Sequence, residues 1–220
     1  MPGVEQLVSR IGRQSYLAAS LFCYLIADAF FPDNRLLTYA ILGMLIVSGP
    51  LATGRTYSER WITVVLAVAM VGGGYLSSFV AGYHLPLIAS LIAAAFFLDL
   101  IYLISKALLK EQTRVTSETL WAAINVYVLF GLMFAFLYTA VIAVEPAAFS
   151  GGILEHNEEA VAQSMIYYSF VTMTTLGYGD ITPKIQVAAT LAYVQALIGQ
   201  LYVAILIARL VSLYNRSDKE

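Results

Sequence analysis

Long apolar runs separated by short polar stretches make up most of this chain, at roughly residues 15 to 32, 36 to 53, 61 to 82, 85 to 109, 119 to 144 and 185 to 213. A helix that crosses the hydrocarbon core of a bilayer needs about 20 mostly apolar residues, with some spread around that length. The runs are apolar on every face rather than on alternate residues, and they are far longer than the strands of a membrane barrel. The pattern therefore predicts an all-α membrane protein with six transmembrane helices. A shorter segment, residues 164 to 174, lies between the last two runs and cannot reach across. It is expected to be a re-entrant helix that dips part-way in, and the non-helical backbone after it is tolerated at that depth only where protein buries it or where it lines a watery cavity.

Composition strengthens this picture and narrows the function. Of 220 residues, 60% are hydrophobic and 12% charged, too little polar surface to cover a water-soluble globule. The first fourteen residues are polar with no cleavage pattern after a short apolar core, so no removable signal peptide is expected. Cys23, the single cysteine, lies in the first span, which excludes an intrachain disulfide and suggests a packing role. With no Gly-x-Ser-x-Gly motif and no His pair, an intramembrane enzyme is not expected, nor is a cofactor or a nucleic-acid partner.

Charge sets the orientation. Arg10, Arg13, Arg55, Arg60, Lys106, Lys110, Arg114, Arg209, Arg216 and Lys219 fall on one side of the predicted spans, against Arg35 and Lys184 on the other. Basic residues favour the cytoplasmic side, so a multi-pass protein of the cell membrane with both termini cytoplasmic is expected. The chain divides into a cytoplasmic N-terminus (1–14), a four-helix part (15–109), a linker (105–118), a pore part (119–213) and a short tail (214–220). Within the linker, Lys106, Lys110 and Arg114 share one side, which fits an amphipathic connector at the interface or a solvated loop. Residues 145 to 159, with Pro146, Gly151 and Gly152, read as an extracellular loop.

The candidate chemistry lies at residues 172 to 180, Thr-Met-Thr-Thr-Leu-Gly-Tyr-Gly-Asp. A K⁺ ion entering a bilayer must exchange its water shell for other oxygens, and a narrow loop can supply them as stacked rings of backbone carbonyls. Lining a pore this way requires backbone angles that alternate in handedness, which glycine tolerates best. Gly177 and Gly179 fit that need.

The stretch Thr175, Leu176, Gly177, Tyr178, Gly179 resembles the Thr-Val-Gly-Tyr-Gly signature of the tetrameric potassium channel family, with Leu176 in place of valine. Residues 119–213 resemble that family's pore domain (outer helix 119–144, pore helix 164–174, filter 175–179, inner helix 185–213). The whole chain resembles its six-helix members, with 15–109 in the place of a voltage sensor. The resemblance implies a homotetramer, each chain with three identical subunits in membrane lipid, that lets K⁺ pass down its gradient. The ion would be held by the carbonyls of Thr175, Leu176, Gly177 and Tyr178, with the Thr175 hydroxyl completing the innermost site. The side chains of Leu176 and Tyr178 would point away from the axis and pack behind the filter. Tyr167 and Tyr168, where tryptophans are frequent, would support the filter together with Thr174 and Asp180. Gly199 matches the hinge position of the inner helix, and Gln200, Val203 and Ile207 would face the cavity. Read from the residues alone, adjacent tyrosines also suit ordinary packing, and Gly199 also suits close helix contact. Glu145, Glu155, Glu158, Glu159 and Asp180 either gather cations at the outer mouth or are simply solvated.

A voltage sensor needs several basic residues spaced along one membrane helix. The run from 85 to 109 has none before Lys106, so a degenerate sensor-like domain that voltage does not drive is expected. Asp99 is a possible intramembrane acid, with a hydrogen bond to Tyr102 or to a neighbouring helix among its options. Asp28 and His84 read as interface residues, and Gly72, Gly73 and Gly74 as a kink or a close helix contact. The alternatives to a K⁺ channel are a weakly selective cation channel, which Leu176 and the paired tyrosines keep open, and a non-conducting membrane sensor or scaffold with a relict filter.

Overall fold

The computed structural model describes residues 12–30, 43–45, 47–49, 57–77, 84–110, 117–151 and 158–217. Among them the order is α1 (Arg13–Phe30), α2 (Tyr57–Ser77), α3 (His84–Lys110), α4 (Ser117–Val144), one 3₁₀ turn (Pro146–Ala148), β1 (Phe149–Ser150), α5 (Glu158–Met173), β2 (Thr182–Pro183) and α6 (Gln186–Ser217).

Three helical stretches, His84–Leu109, Ser117–Val144 and Gln186–Arg209, are long and apolar enough to cross a membrane. They match the fourth, fifth and sixth runs of the sequence. α1 has the length for the first span but carries Arg13, Gln14 and Asp28. Within α2 the apolar part is the shorter Trp61–Leu76, and the expected span 36–53 lies mostly outside the described residues.

One boundary moves. α5, at the place of the expected pore helix, begins at Glu158 rather than at 164. Its acidic first turn looks like loop in the sequence, yet negative charge is favoured beside the free N–H groups that open a helix. Residues 105–109, which the expected four-helix part and linker share, are the last turns of α3, in line with the run 85–109, and Arg114 and Glu155 lie outside the described residues.

The chain packs as two compact units. One comprises Met1–Val65, Asp99–Val128 and Leu206–Glu220, the other Leu66–Leu98 and Leu129–Ile205. In the first, Leu17, Leu21, Leu45, Leu100 and Ile104 are fully buried. The opening amides of a helix have no partner within it, and here Glu118 Oε2, from the start of α4, accepts the Gln14 amide of α1 at 3.1 Å. Asn125 Nδ2 reaches the same residue, donating to Gln14 O at 2.8 Å and Oε1 at 3.1 Å. Thr63 of α2 donates its hydroxyl to Asp99 Oδ2 at 2.6 Å, and Arg209 of α6 donates to the Leu108 carbonyl at 2.7 Å.

The second unit holds the candidate filter. Its core includes Phe96, Phe97, Leu129, Leu132, Tyr138, Met165 and Met173, all deeply buried. β1 and β2 form a two-residue antiparallel ribbon pairing Phe149 with Pro183 and Ser150 with Thr182. The ribbon joins the segment after α4 to the segment after the filter, and Lys184 N adds a bond to Ala148 O at 2.8 Å. Only 11% of the apolar window in α6 is buried, against 50% in α4 and 56% in α3. A helix this apolar and this bare needs lipid or other protein against it.

Candidate functional site

α5 ends at Met173, and the next amides turn back onto its last carbonyls. Thr174 N bonds Phe170 O at 3.0 Å, Thr175 N bonds Thr172 O at 3.0 Å, and Leu176 N and Gly177 N share Val171 O at 3.0 and 3.3 Å. The Thr174 hydroxyl adds a bond to Phe170 O at 2.7 Å. The carbonyls of Phe170, Val171 and Thr172, which would otherwise be orphaned, are thus met by the N–H groups of Thr174 and of the candidate filter.

Backbone handedness then alternates. Thr175 has φ 58°, Gly177 φ 58° and Gly179 φ 80°, with no positive φ at Leu176 or Tyr178 between them. A left-handed residue at every second position turns successive carbonyls of an extended segment toward a common side, whereas in a strand they alternate. The two glycines occupy this region at no steric cost. Thr175 is β-branched, and such a residue at positive φ is a true outlier costing about 1–2 kcal/mol. Strain of this kind persists where surrounding structure over-determines it, commonly at functional sites. Among the described residues the carbonyls of Thr175, Leu176, Gly177 and Tyr178 accept no hydrogen bond, so their oxygens are free for another ligand. Neutral carbonyl oxygens suit a weakly held monovalent cation.

The supporting residues divide. Tyr167 donates its hydroxyl to Asp180 Oδ2 at 2.7 Å, and Asp180 Oδ1 accepts the Ile181 amide at 3.1 Å. Their shared bond holds the Asp180 carboxyl below the usual carboxylate range and pushes the Tyr167 phenol up to about 12. Tyr168 packs instead in a ring cluster with Tyr138, at 5.0 Å between centroids, and Phe149, at 5.2 Å. Consecutive helical residues point about 100° apart, so Tyr168 does not share the contact that Tyr167 makes. Its burial pushes its own phenol upward.

Gln200 Nε2 donates to Thr175 Oγ1 at 3.3 Å, which joins a residue expected to face the cavity to the one expected to complete the innermost site. Gly199 lies against the end of α5, where an added Cβ would meet Met173 O at 2.6 Å. α6 runs unbroken through this point. Of the two readings of Gly199, close packing is therefore the one this geometry exhibits. Leu176 is 55% and Tyr178 66% exposed, so their own chain does not supply the packing expected behind the filter. Val203 and Ile207 are exposed as well.

One feature of the site escaped sequence reading. Gln195 and Ser169, both fully buried, link α6 to α5, and nothing in their spacing separates them from cavity-facing polar residues. Asp99, in the other unit, takes the second of its two expected partners, a neighbouring helix, by accepting a bond from Thr63 of α2. The side chains of Asp28, Glu158 and Glu159 are not among those described.

Comparison with known proteins agrees with the geometry. Residues 147–216 match a family model described as ion channel, a stretch that contains β1, α5, the filter, β2 and nearly all of α6. The match supports an ion channel family for this part of the chain. Protein LctB from Bacillus caldotenax is 28% identical over 122 residues, which cover 54% of this chain and 90% of that protein. No solved structure matches the chain.

Proposed function

We propose that this chain is one of four identical subunits of a K⁺-selective channel that conducts passively across the cell membrane. The observation that carries the reading is the alternation of left-handed residues at Thr175, Gly177 and Gly179, with the amides of Thr175, Leu176 and Gly177 tied back to α5 and the carbonyls from Thr175 to Tyr178 accepting no hydrogen bond. One chain supplies a quarter of each oxygen ring, so three further copies are required to enclose an ion. They would also cover Leu176, Tyr178 and the bare face of α6. The K⁺ ion would be held by the carbonyls of Thr175, Leu176, Gly177 and Tyr178, with the Thr175 hydroxyl at the inner end, steadied by Gln200. The architecture is six transmembrane helices with both termini cytoplasmic, and the first four lack the charges needed to sense voltage.

A second reading, a weakly selective cation channel, draws on the placement of Tyr168 within the ring cluster, which leaves Tyr167 as the only phenol of the pair bonded to Asp180. Both readings are tested by K⁺ uptake into liposomes holding the purified protein and its Gly177→Ala variant. The space around Gly177 is open, with nothing within 4 Å of an added Cβ. The expected loss is therefore conformational, about 1–2 kcal/mol per subunit. Flux in the parent and none in Gly177→Ala supports the filter, whereas equal, K⁺-preferring flux in both would rule it out.

A further inference from the structure

Gln195 sits in the first third of α6 with no exposed surface, in a helix that is otherwise almost wholly apolar in this stretch. Its amide is nonetheless fully engaged. Nε2 donates to Ser169 Oγ at 2.7 Å and to Ser169 O at 3.2 Å, while Oε1 accepts the Tyr138 hydroxyl at 2.7 Å. Ser169 in turn donates its hydroxyl to the Gly131 carbonyl of α4 at 2.6 Å. One side chain thereby fixes α4, α5 and α6 to one another at a single point.

That point is well placed to matter. Ser169 directly precedes Phe170, Val171 and Thr172, whose carbonyls receive the amides of Thr174, Thr175, Leu176 and Gly177. A shift of α5 at Ser169 is therefore passed to the filter backbone through its own hydrogen bonds. An apolar residue at position 195 would fill the space at no desolvation cost, whereas a buried amide is costly unless every bond is made. Fully satisfied buried networks specify a single arrangement of the elements they join.

We infer that Gln195 is a positioning residue that sets the seat of the pore helix and through it the ion preference of the filter. The inference rests on the channel reading above, and its test is built to fail separately. The variants are Gln195→Leu, Tyr138→Phe and, as a control, Asn125→Leu. Asn125 is equally buried and bonds Gln14, in the unit that lacks the filter.

Each full-length protein is purified and compared by thermal stability, by amide hydrogen exchange resolved to residues 166–177, and by the K⁺ to Na⁺ permeability ratio in liposomes. Gln195→Leu should speed exchange in 166–177 and lower the permeability ratio, each on the order of tenfold, as loss of a buried hydrogen-bonded group predicts. Tyr138→Phe keeps the Ser169 bonds and should move both readouts less, in the same direction. It carries the test if Gln195→Leu does not assemble. Asn125→Leu should lower thermal stability while leaving both filter readouts unchanged. Unchanged exchange and selectivity in the Gln195 and Tyr138 variants, or the same shifts in Asn125→Leu, would overturn the inference. A parent protein that passes no ions would end the channel reading, and exchange at 166–177 would still decide the role of Gln195.

Discussion

Tyr167 and Asp180 close the loop that follows α5 with one hydrogen bond, the phenol donating to the carboxylate that follows Gly179 at 2.7 Å. The bond couples two titrations in opposite directions. Asp180 is held below its ordinary value by the bond from Tyr167. A group lowered on folding contributes stability that is present above its ordinary value, about 3.9, and lost as pH falls through the lowered one. Tyr167, raised to about 12 by the bond to Asp180, contributes below the ordinary tyrosine value and loses its contribution as pH rises through the raised one.

The first prediction follows from these signs. At neutral pH Tyr167→Phe should be less stable in its assembled form than the parent. The difference should shrink as the solution is acidified below the ordinary carboxylate range and vanish once Asp180 is protonated in both. Thermal melts across acid pH measure it, and a gap between the two proteins that stays constant to low pH would separate Tyr167 from the Asp180 charge.

Gly199 supplies the second. With a Cβ certain to press on Met173 O, Gly199→Ala must push α6 away from the end of α5 or unseat the filter. Overpacking of this kind costs about 1–3 kcal/mol. Lower thermal stability together with reduced K⁺ flux is expected. A stable variant with longer openings would point to the hinge role instead.

Third, opening should depend little on voltage. Each charge carried across the membrane contributes about 2.3 kcal/mol per 100 mV, and Lys106, the first basic residue of α3, lies at its last turns. Asp99 is bonded to a fully buried Thr63, which suits a static packing contact. Asp99→Asn and Thr63→Val should therefore alter thermal stability, by about 1–3 kcal/mol for the orphaned partner, more than they alter the voltage curve. Single-channel records over a wide voltage range check this, and a steep curve flattened by Asp99→Asn would contradict it.

The alternating backbone of 175–179 is legible in the sequence because its demands are local. Alternating handedness needs glycine at fixed positions, and Gly177 and Gly179 show it without any tertiary information. That Gln200 faces something polar could be expected, since an amide in an apolar helix must, but its bond to Thr175 could not be read from the sequence. The same reasoning misses Gln195, which meets its need inside the protein through Tyr138 and Ser169, partners 57 and 26 residues away. Tyr167 and Tyr168 look equivalent in sequence and separate only when the turn of α5 sends one to Asp180 and the other to Phe149. The start of α5 was obscured by Glu158 and Glu159, whose charge reads as loop but suits a helix N-terminus.

The reversal potential of the purified protein in a planar bilayer, with K⁺ on one side and Na⁺ on the other, tests the central claim most directly. Carbonyl rings at Thr175 to Tyr178 predict a potential near the K⁺ equilibrium value in the parent and no K⁺-selective current in Gly177→Ala. A parent reversal near zero, or a Gly177→Ala protein with the parent's potential, would contradict the account.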